Sequence, residues 1–261
     1  MLTERSARVA AAVKLHRHVG RRRANRFLAE GPNLVEAASE RGLVREVFVT
    51  EAAAQRHDSW LAGHDAPVHL VTERAAKALS DTVTPAGLVA VCDIPSAHLD
   101  DVLSRAPRLI ATAVEISEPG NAGTLIRIAD AMGAAAVIFA GPSVDPYNGK
   151  CVRASAGSIC NLPVVAVADT HAAVMSLRDA GLQVLATAID GETSLDDADP
   201  LLGVATAWLF GPESHGLSAE IAGVADHRVR IPMSGRAESL NIAAAAAICL
   251  YQSARALSGT R

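Results

Sequence analysis

Three short segments of this 261-residue chain combine residues that could do chemistry with glycines that let a ligand approach the backbone. EPGNAGTLIR (118–127) sets Pro119-Gly120 before Asn121 and ends on Arg127. LFGPESHGL (209–217) carries Gly211, Glu213 and Gly216, and IPMSGRAESLN (231–241) ends on Ser239, Leu240 and Asn241. A guanidinium can hold a phosphate or a developing oxyanion, a carboxylate can orient a cation, and amides and hydroxyls can fix a substrate hydroxyl. Each segment taken singly also has a plainer reading. Asn121 is a good helix N-cap, and Arg127 falls about two turns into the helix, with Asp130 at i+3 as an ordinary partner. Ser239 suits the cap of a following helix whose alanines allow close packing. One hydrolytic reading fails on spacing, because a nucleophile elbow needs Gly-x-Ser-x-Gly, whereas Ser214 stands three residues after Gly211 and two before Gly216.

The elements that must position these segments alternate in type. LIATAVEI (109–116), AAAVIFAG (134–141), PVVAVA (163–168), QVLATAID (183–190), TAWLFG (206–211) and HRVRIPM (227–233) read as strands. Helices are expected over 122–132, 170–180 and 240–257. Such alternation specifies an α/β domain with a largely parallel sheet flanked by helices, and all three segments fall at its strand-to-helix junctions, where ligands bind. Upstream, RFLAEG, VREVFVT (44–50), PVHLVT (67–72) and GLVAVCDI (87–94) read as strands, with helices from about Pro32 to Arg41 and within TERAAKALSDTVTP. The proline-flanked PSAHLDDVLSRAP (95–107) reads as a linker containing at most a short helix. The expected domains are 1–95 and 108–261, joined by 96–107.

Composition narrows the class. Half of the residues are apolar, enough for a sizeable core, and no apolar run approaches the roughly 18 residues of a membrane span. The N-terminus mixes charges and lacks the apolar stretch of a secretory signal, so the cytoplasm is expected. Cys92, Cys151, Cys160 and Cys249 have no Cys-x-x-Cys pairing and read as buried thiols, and the nine histidines lack ligand spacing, so no metal is expected. The net charge of −4 disguises a basic start: residues 1–30 hold eight lysines and arginines, among them Arg21, Arg22, Arg23 and Arg26, against Glu4 and Glu30. That is the footprint of phosphate contact, or of a merely solvated helix and arm.

In order, spacing and flanking structure the three segments resemble the sequence motifs of the SpoU (TrmH-like) branch of the SPOUT methyltransferases. The resemblance spans nearly all of 108–257, including KCVRASAGSICNLPV (150–164), and rests on Asn121, Arg127, Gly211, Glu213, Gly216, Pro232, Gly235, Ser239, Leu240 and Asn241. The first region, through RRRANRFLAEGPNLVEAA and REVFVTE, resembles the L30e-like domain that precedes many bacterial RNA methyltransferases. The resemblance implies a deep trefoil knot in the C-terminal domain, S-adenosyl-L-methionine as methyl donor, and a homodimer formed through that domain. It implies a donor pocket of Thr187, Phe210, Gly211, Gly216, Ile231, Met233, Ser239 and Leu240. The missing Gly-x-Gly-x-x-Gly turn accords with it and weakens a dehydrogenase reading.

The implied reaction methylates an RNA ribose 2′-hydroxyl, with Arg127, Asn121, Glu213, Ser239 and Asn241 as catalytic residues. Within the family the arginine is proposed as general base. A guanidinium with a pKa above about 12 stays protonated, so Arg127 is expected instead to clamp phosphate and hydroxyl, supported by Asn121, while Glu213, Ser239 and Asn241 orient it, the substrate or the donor. RNA is expected to meet Arg21, Arg22, Arg23, Arg26 and Arg153. The L30e-like extension favours 23S rRNA, with thiostrepton-resistance-type methylation of an adenosine, or a guanosine or uridine, as targets. The alternatives are a tRNA 2′-O-methyltransferase, a non-catalytic RNA-binding protein of the same fold, and a hydrolase using Ser214 and His215.

Overall fold

The β-branched runs form strands, and they divide between two sheets. A computed structural model describes residues 1–212 and 214–259, and the chain separates into one unit of residues 1–96 with 145–161 and another of 97–144 with 162–261. In the first unit β1 (Arg26–Glu30), β2 (Val44–Val49), β3 (Val68–Leu70) and β4 (Leu88–Asp93) make a sheet of order β1-β4-β2-β3. β4 runs antiparallel to β1 and β2, and β3 is parallel to β2. Val9, Leu15, Phe48, Leu79 and Val91 share one core cluster here. Helix Pro32–Glu40 packs on β1, β2 and β4, with proline in the first turn, where its missing N–H costs nothing.

Residues 145–161, which the sequence reading took with the C-terminal domain, cluster with this first unit. The Tyr147 ring lies 5.2 Å from that of Phe27, helix Gly149–Ala154 packs on β1, and helix Ser158–Asn161 packs on Pro32–Glu40. All four cysteines are free and buried, and burial pushes the Cys160 thiol up to about 11.

The second unit holds β5 (Leu109–Val114), β6 (Ala136–Ala140), β7 (Val164–Val167), β8 (Gln183–Thr187), β9 (Thr193–Ser194), β10 (Thr206–Phe210) and β11 (His227–Arg230). Every pairing among them is parallel, in the order β7-β6-β5-β10-β8-β11-β9. Ile110, Ile138, Val184 and Leu209 share a core cluster with Val174 and Leu177 of helix Thr170–Asp179 and Ile221 of helix Ala219–Val224. Val102 of helix Leu99–Leu103, inside the expected linker, joins the same core. Helices Pro119–Ala131 and Ile242–Ser258 pack on each other and on β5, and the Trp208 Nε1 of β10 donates to Ser253 Oγ at 2.8 Å, fixing the last helix to the sheet. Among the described residues no helix is long and apolar enough to cross a membrane.

Candidate active site

Chain order builds a crevice into the second sheet. From β5 the chain steps outward to β6 and β7, crosses to β8, and returns as β10 between β5 and β8. Loops leaving strands at such a reversal diverge and leave room at the carboxyl ends. There, beyond β8, β10 and β11, lies a cleft of about 550 Å³, within the range of small-molecule sites. Thr187, Phe210, Gly211, Gly216, Ile231, Met233, Ser239 and Leu240, the eight residues expected to hold a donor, all line it. Thr187 Oγ1 donates to Leu209 O at 3.0 Å, tying the end of β8 to β10.

The two glycines of the middle segment answer to geometry. A Cβ on residue 211 would sit 2.5 Å from the Leu217 nitrogen and 2.6 Å from the Gly216 carbonyl carbon, so only glycine lets the turn fold back on the strand end. Gly216 adopts the left-handed φ of 68° and donates its N–H to Pro212 O at 2.8 Å. Glu213, between them, lies outside the described residues. Ser214 Oγ and His215 Nδ1 are 2.8 Å apart, a contact between consecutive exposed residues that also line the cleft.

Two caps differ from expectation. The helix of the first segment begins at Pro119, not after Asn121, and Glu118 is its cap, its carboxylate accepting from the Gly120 N–H. Proline prefers the first helical position and holds the preceding residue extended, so the pair outranks an asparagine two residues on. The last helix begins at Ile242 and is capped by Asn241 rather than Ser239, the Asn241 Oδ1 accepting from Ala243 N at 2.9 Å and Ala244 N at 3.4 Å. With its oxygen so occupied, the Asn241 amide presents Nδ2 to Asn121, whose Oδ1 accepts at 3.0 Å. Two sequence-distant asparagines of the candidate site thus meet between two cleft-lining neighbours, Leu240 and Ile242. Arg127 is exposed on the same helix as Asn121, and among the described residues it makes no ion pair with Asp130. Ser239 is exposed in the loop before Asn241.

The cleft also takes in residues that the sequence reading passed over, chiefly Ala188, Ile189, Asp190, Arg228 and Glu238. The signal for the first three was present, since ATAIDG ends a strand on a glycine as LFG does. Arg228 reaches the cleft only through its place on β11.

The arginines expected to meet RNA separate by burial. Arg22 and Arg23 are exposed on helix His18–Ala24, and Arg26 is exposed beside Asp93, 3.4 Å away. Arg153 is half-buried and stands 4.0 Å from the Glu30 carboxylate. Arg21 is 4% exposed, and its guanidinium is spent on the carbonyls of Leu15 and His16 at 2.8 Å and on Asp145 Oδ2 at 2.8 and 2.6 Å. With those donors engaged inside the unit, Arg21 holds the arm in place rather than presenting charge to a phosphate.

Fold and cleft together define an α/β protein that takes a ligand at the carboxyl ends of a parallel sheet without a Gly-x-Gly-x-x-Gly phosphate turn. Residues 108–251 match the SpoU rRNA Methylase family, and the chain belongs to it. Residues 6–90 match the MRM3-like substrate binding domain. Among curated relatives, the 23S rRNA (guanosine(2553)-2′-O)-methyltransferase RlmP of Bacillus subtilis (strain 168) is 33% identical over 239 residues, covering 91% of this chain and 92% of that protein. The crystal structure of the SpoU methyltransferase AviRb from Streptomyces viridochromogenes superposes with a TM-score of 0.84 at 32% identity, covering 98% of this chain and 99% of that one. That of an AdoMet-bound rRNA methyltransferase from Sinorhizobium meliloti gives 0.83 at 29%, covering 96% and 95%.

Proposed function

We propose that this protein transfers the methyl group of S-adenosyl-L-methionine to a ribose 2′-hydroxyl of 23S rRNA, in the cytoplasm and as a homodimer. The observation that carries the reading is that the second and third segments line one strand-end cleft and Asn121 of the first is bonded to Asn241 beside it, in a chain similar over 91% of its length to a protein named as a 23S rRNA 2′-O-methyltransferase. The cleft fits such a donor: its volume suits a nucleoside-sized molecule, and its lining sets the apolar Phe210, Ile231, Met233 and Leu240 beside the hydroxyls of Thr187 and Ser239. Thr187, Phe210, Gly211, Gly216, Ile231, Met233, Ser239 and Leu240 would hold it, in a sheet closed by the trefoil knot of the family. When bound, the donor supplies a methyl on a sulfonium, already a good leaving group.

The protein's own task is to place and activate a hydroxyl. Correct alignment of reacting groups is worth roughly 7 to 11 kcal/mol, enough to carry most of the catalysis. Arg127 is exposed and, among the described residues, held by no ion pair, so its fork is open to a substrate phosphate and to the oxygen that gains charge as its proton leaves. The Asn241–Asn121 bond sets which way the Asn121 amide faces, supporting that clamp from the neighbouring turn. Glu213, Ser239 and Asn241 complete the catalytic set of this reading. Exposed Arg22, Arg23 and Arg26 grip RNA phosphates, which positions the substrate without reading its sequence.

Arg127→Ala is expected to bind S-adenosyl-L-methionine as the unaltered protein does, by calorimetry, and to lose transfer of a tritiated methyl to 23S rRNA by about a hundredfold or more. Undiminished transfer would remove Arg127 from the mechanism. Mapping 2′-O-methyl marks on rRNA from cells with and without the protein names the nucleotide, and an unchanged rRNA map with a lost tRNA mark would redirect the reading to tRNA.

A further inference from the structure

The loop that leaves β8 is tied down by β11, the parallel neighbour of β8 in the sheet. Arg228 and Arg230 flank the buried Val229 on β11, so both side chains leave the strand on the face opposite to it. Both end on the same loop. Arg228 Nη1 donates to Asp190 Oδ2 and Nε to Glu192 Oε2, each at 3.1 Å, while its backbone N–H donates to Glu192 Oε1 at 2.9 Å. Arg230 Nη1 donates to Gly191 O at 3.0 Å and Glu192 O at 3.3 Å. A Cβ on residue 191 would lie 2.8 Å from both the Arg228 carbonyl oxygen and the Arg230 nitrogen, so the loop rests directly on β11 and needs glycine to do so.

Exposed ion pairs of this kind add little to stability. Five bonds of 3.3 Å or shorter converging on three consecutive residues do fix the course of a loop. That course carries Ile189, a cleft-lining isoleucine left 70% exposed, and Asp190 beside it. Apolar surface held ready on a rigid support binds more tightly than the same surface on a wandering loop, because less order has to be created on binding.

We propose that Arg228 is a positioning residue for the methyl donor, holding the 188–192 loop through Asp190 and Glu192 so that Ile189 covers an apolar face of the bound donor. This rests on the assignment of the cleft to S-adenosyl-L-methionine. The Arg228 backbone N–H, first among the causes, lowers the Glu192 carboxyl from its ordinary value, which favours the charged form that the tie uses.

Calorimetric titration of the full chain with S-adenosyl-L-methionine, and separately with S-adenosylhomocysteine, tests the proposal without RNA. Arg228→Met and Ile189→Ser are each expected to weaken both ligands by about tenfold. Arg228→Lys, which keeps one ion pair and loses the fork, recovers part of the loss. In turnover the loss enters as a raised KM for the donor with kcat at saturating donor preserved, and the thermal midpoint of Ile189→Ser stays at that of the parent. Parental donor affinity in Arg228→Met or in Ile189→Ser overturns the proposal while leaving the cleft assignment intact. A parent protein that binds neither ligand overturns the assignment itself.

Discussion

Arg21 and Arg127 carry the same guanidinium into opposite surroundings. The first is buried, bonded to two backbone carbonyls and to Asp145, and the second stands in solvent on a helix of the candidate site. Removing one partner of a buried charged pair strands the other, at a cost far larger than the pair's net contribution. Asp145 is itself partly open to solvent, which softens the penalty. Arg21→Met is therefore expected to lower unfolding stability by about 2 to 4 kcal/mol in urea, whereas Arg22→Gln, on the exposed face of the same helix, stays within about 0.5 kcal/mol. The same two variants should exchange places in RNA binding, Arg22→Gln lowering the salt dependence of affinity by about one counterion. Equal stability losses from both would refute the division. In a run of three arginines, only their placement on the helix decides which one faces inward, and composition alone treats them alike.

At the scale of elements the site depends on turns that tolerate few residues. Gly211 illustrates how tightly: with the Leu217 nitrogen 2.5 Å from any Cβ, Gly211→Ala must push Gly216 and Leu217 away from the end of β10. Donor affinity measured by calorimetry is expected to fall by about a hundredfold, while the far-ultraviolet circular dichroism keeps its parental shape, because the strand's own ladder to β5 and β8 is untouched. Retained affinity would mean that the turn is not part of the donor wall. Strands of this kind were legible in sequence because β-branched runs bounded by glycine and proline have few other uses. Their carboxyl ends were not: the runs 183–190 and 227–233 stop as strand at Thr187 and Arg230, since Ala188, Ile189, Asp190, Ile231 and Met233 leave the sheet to line the cleft. The caps at Glu118 and Asn241 were missed where two plausible capping residues competed within three positions. The tie between Arg228 and the 188–192 loop was invisible for a different reason: it depends on β11 lying beside β8 and β9, a register that no local pattern records.

For the whole molecule, the family resemblance carried what periodicity could not. Alternating strands and helices implied a parallel sheet, but the placement of β10 between β5 and β8, which opens the cleft, follows from chain order in space. The last helix leaves an apolar side uncovered within its own chain. One side of Ile242–Ser258 buries Ala246, Cys249, Leu250 and Ser253, and the other presents Ile248 at 37% and Tyr251 at 57% exposure. Alanines around them keep that side smooth enough for a second helix to approach closely, and a twofold axis would set the same face of each copy against the other. If the dimer forms there, a charge at its centre has no partner and must be desolvated on association. The double substitution Ile248→Glu with Tyr251→Glu is expected to convert a dimeric parent into a monomer at about 10 μM by light scattering. Both residues are already solvent-exposed in the single chain, so its unfolding transition should keep its cooperativity and shift by no more than a few degrees. A parent that is monomeric at about 100 μM, or a variant whose mass remains that of two chains, would move the interface elsewhere or dismiss it.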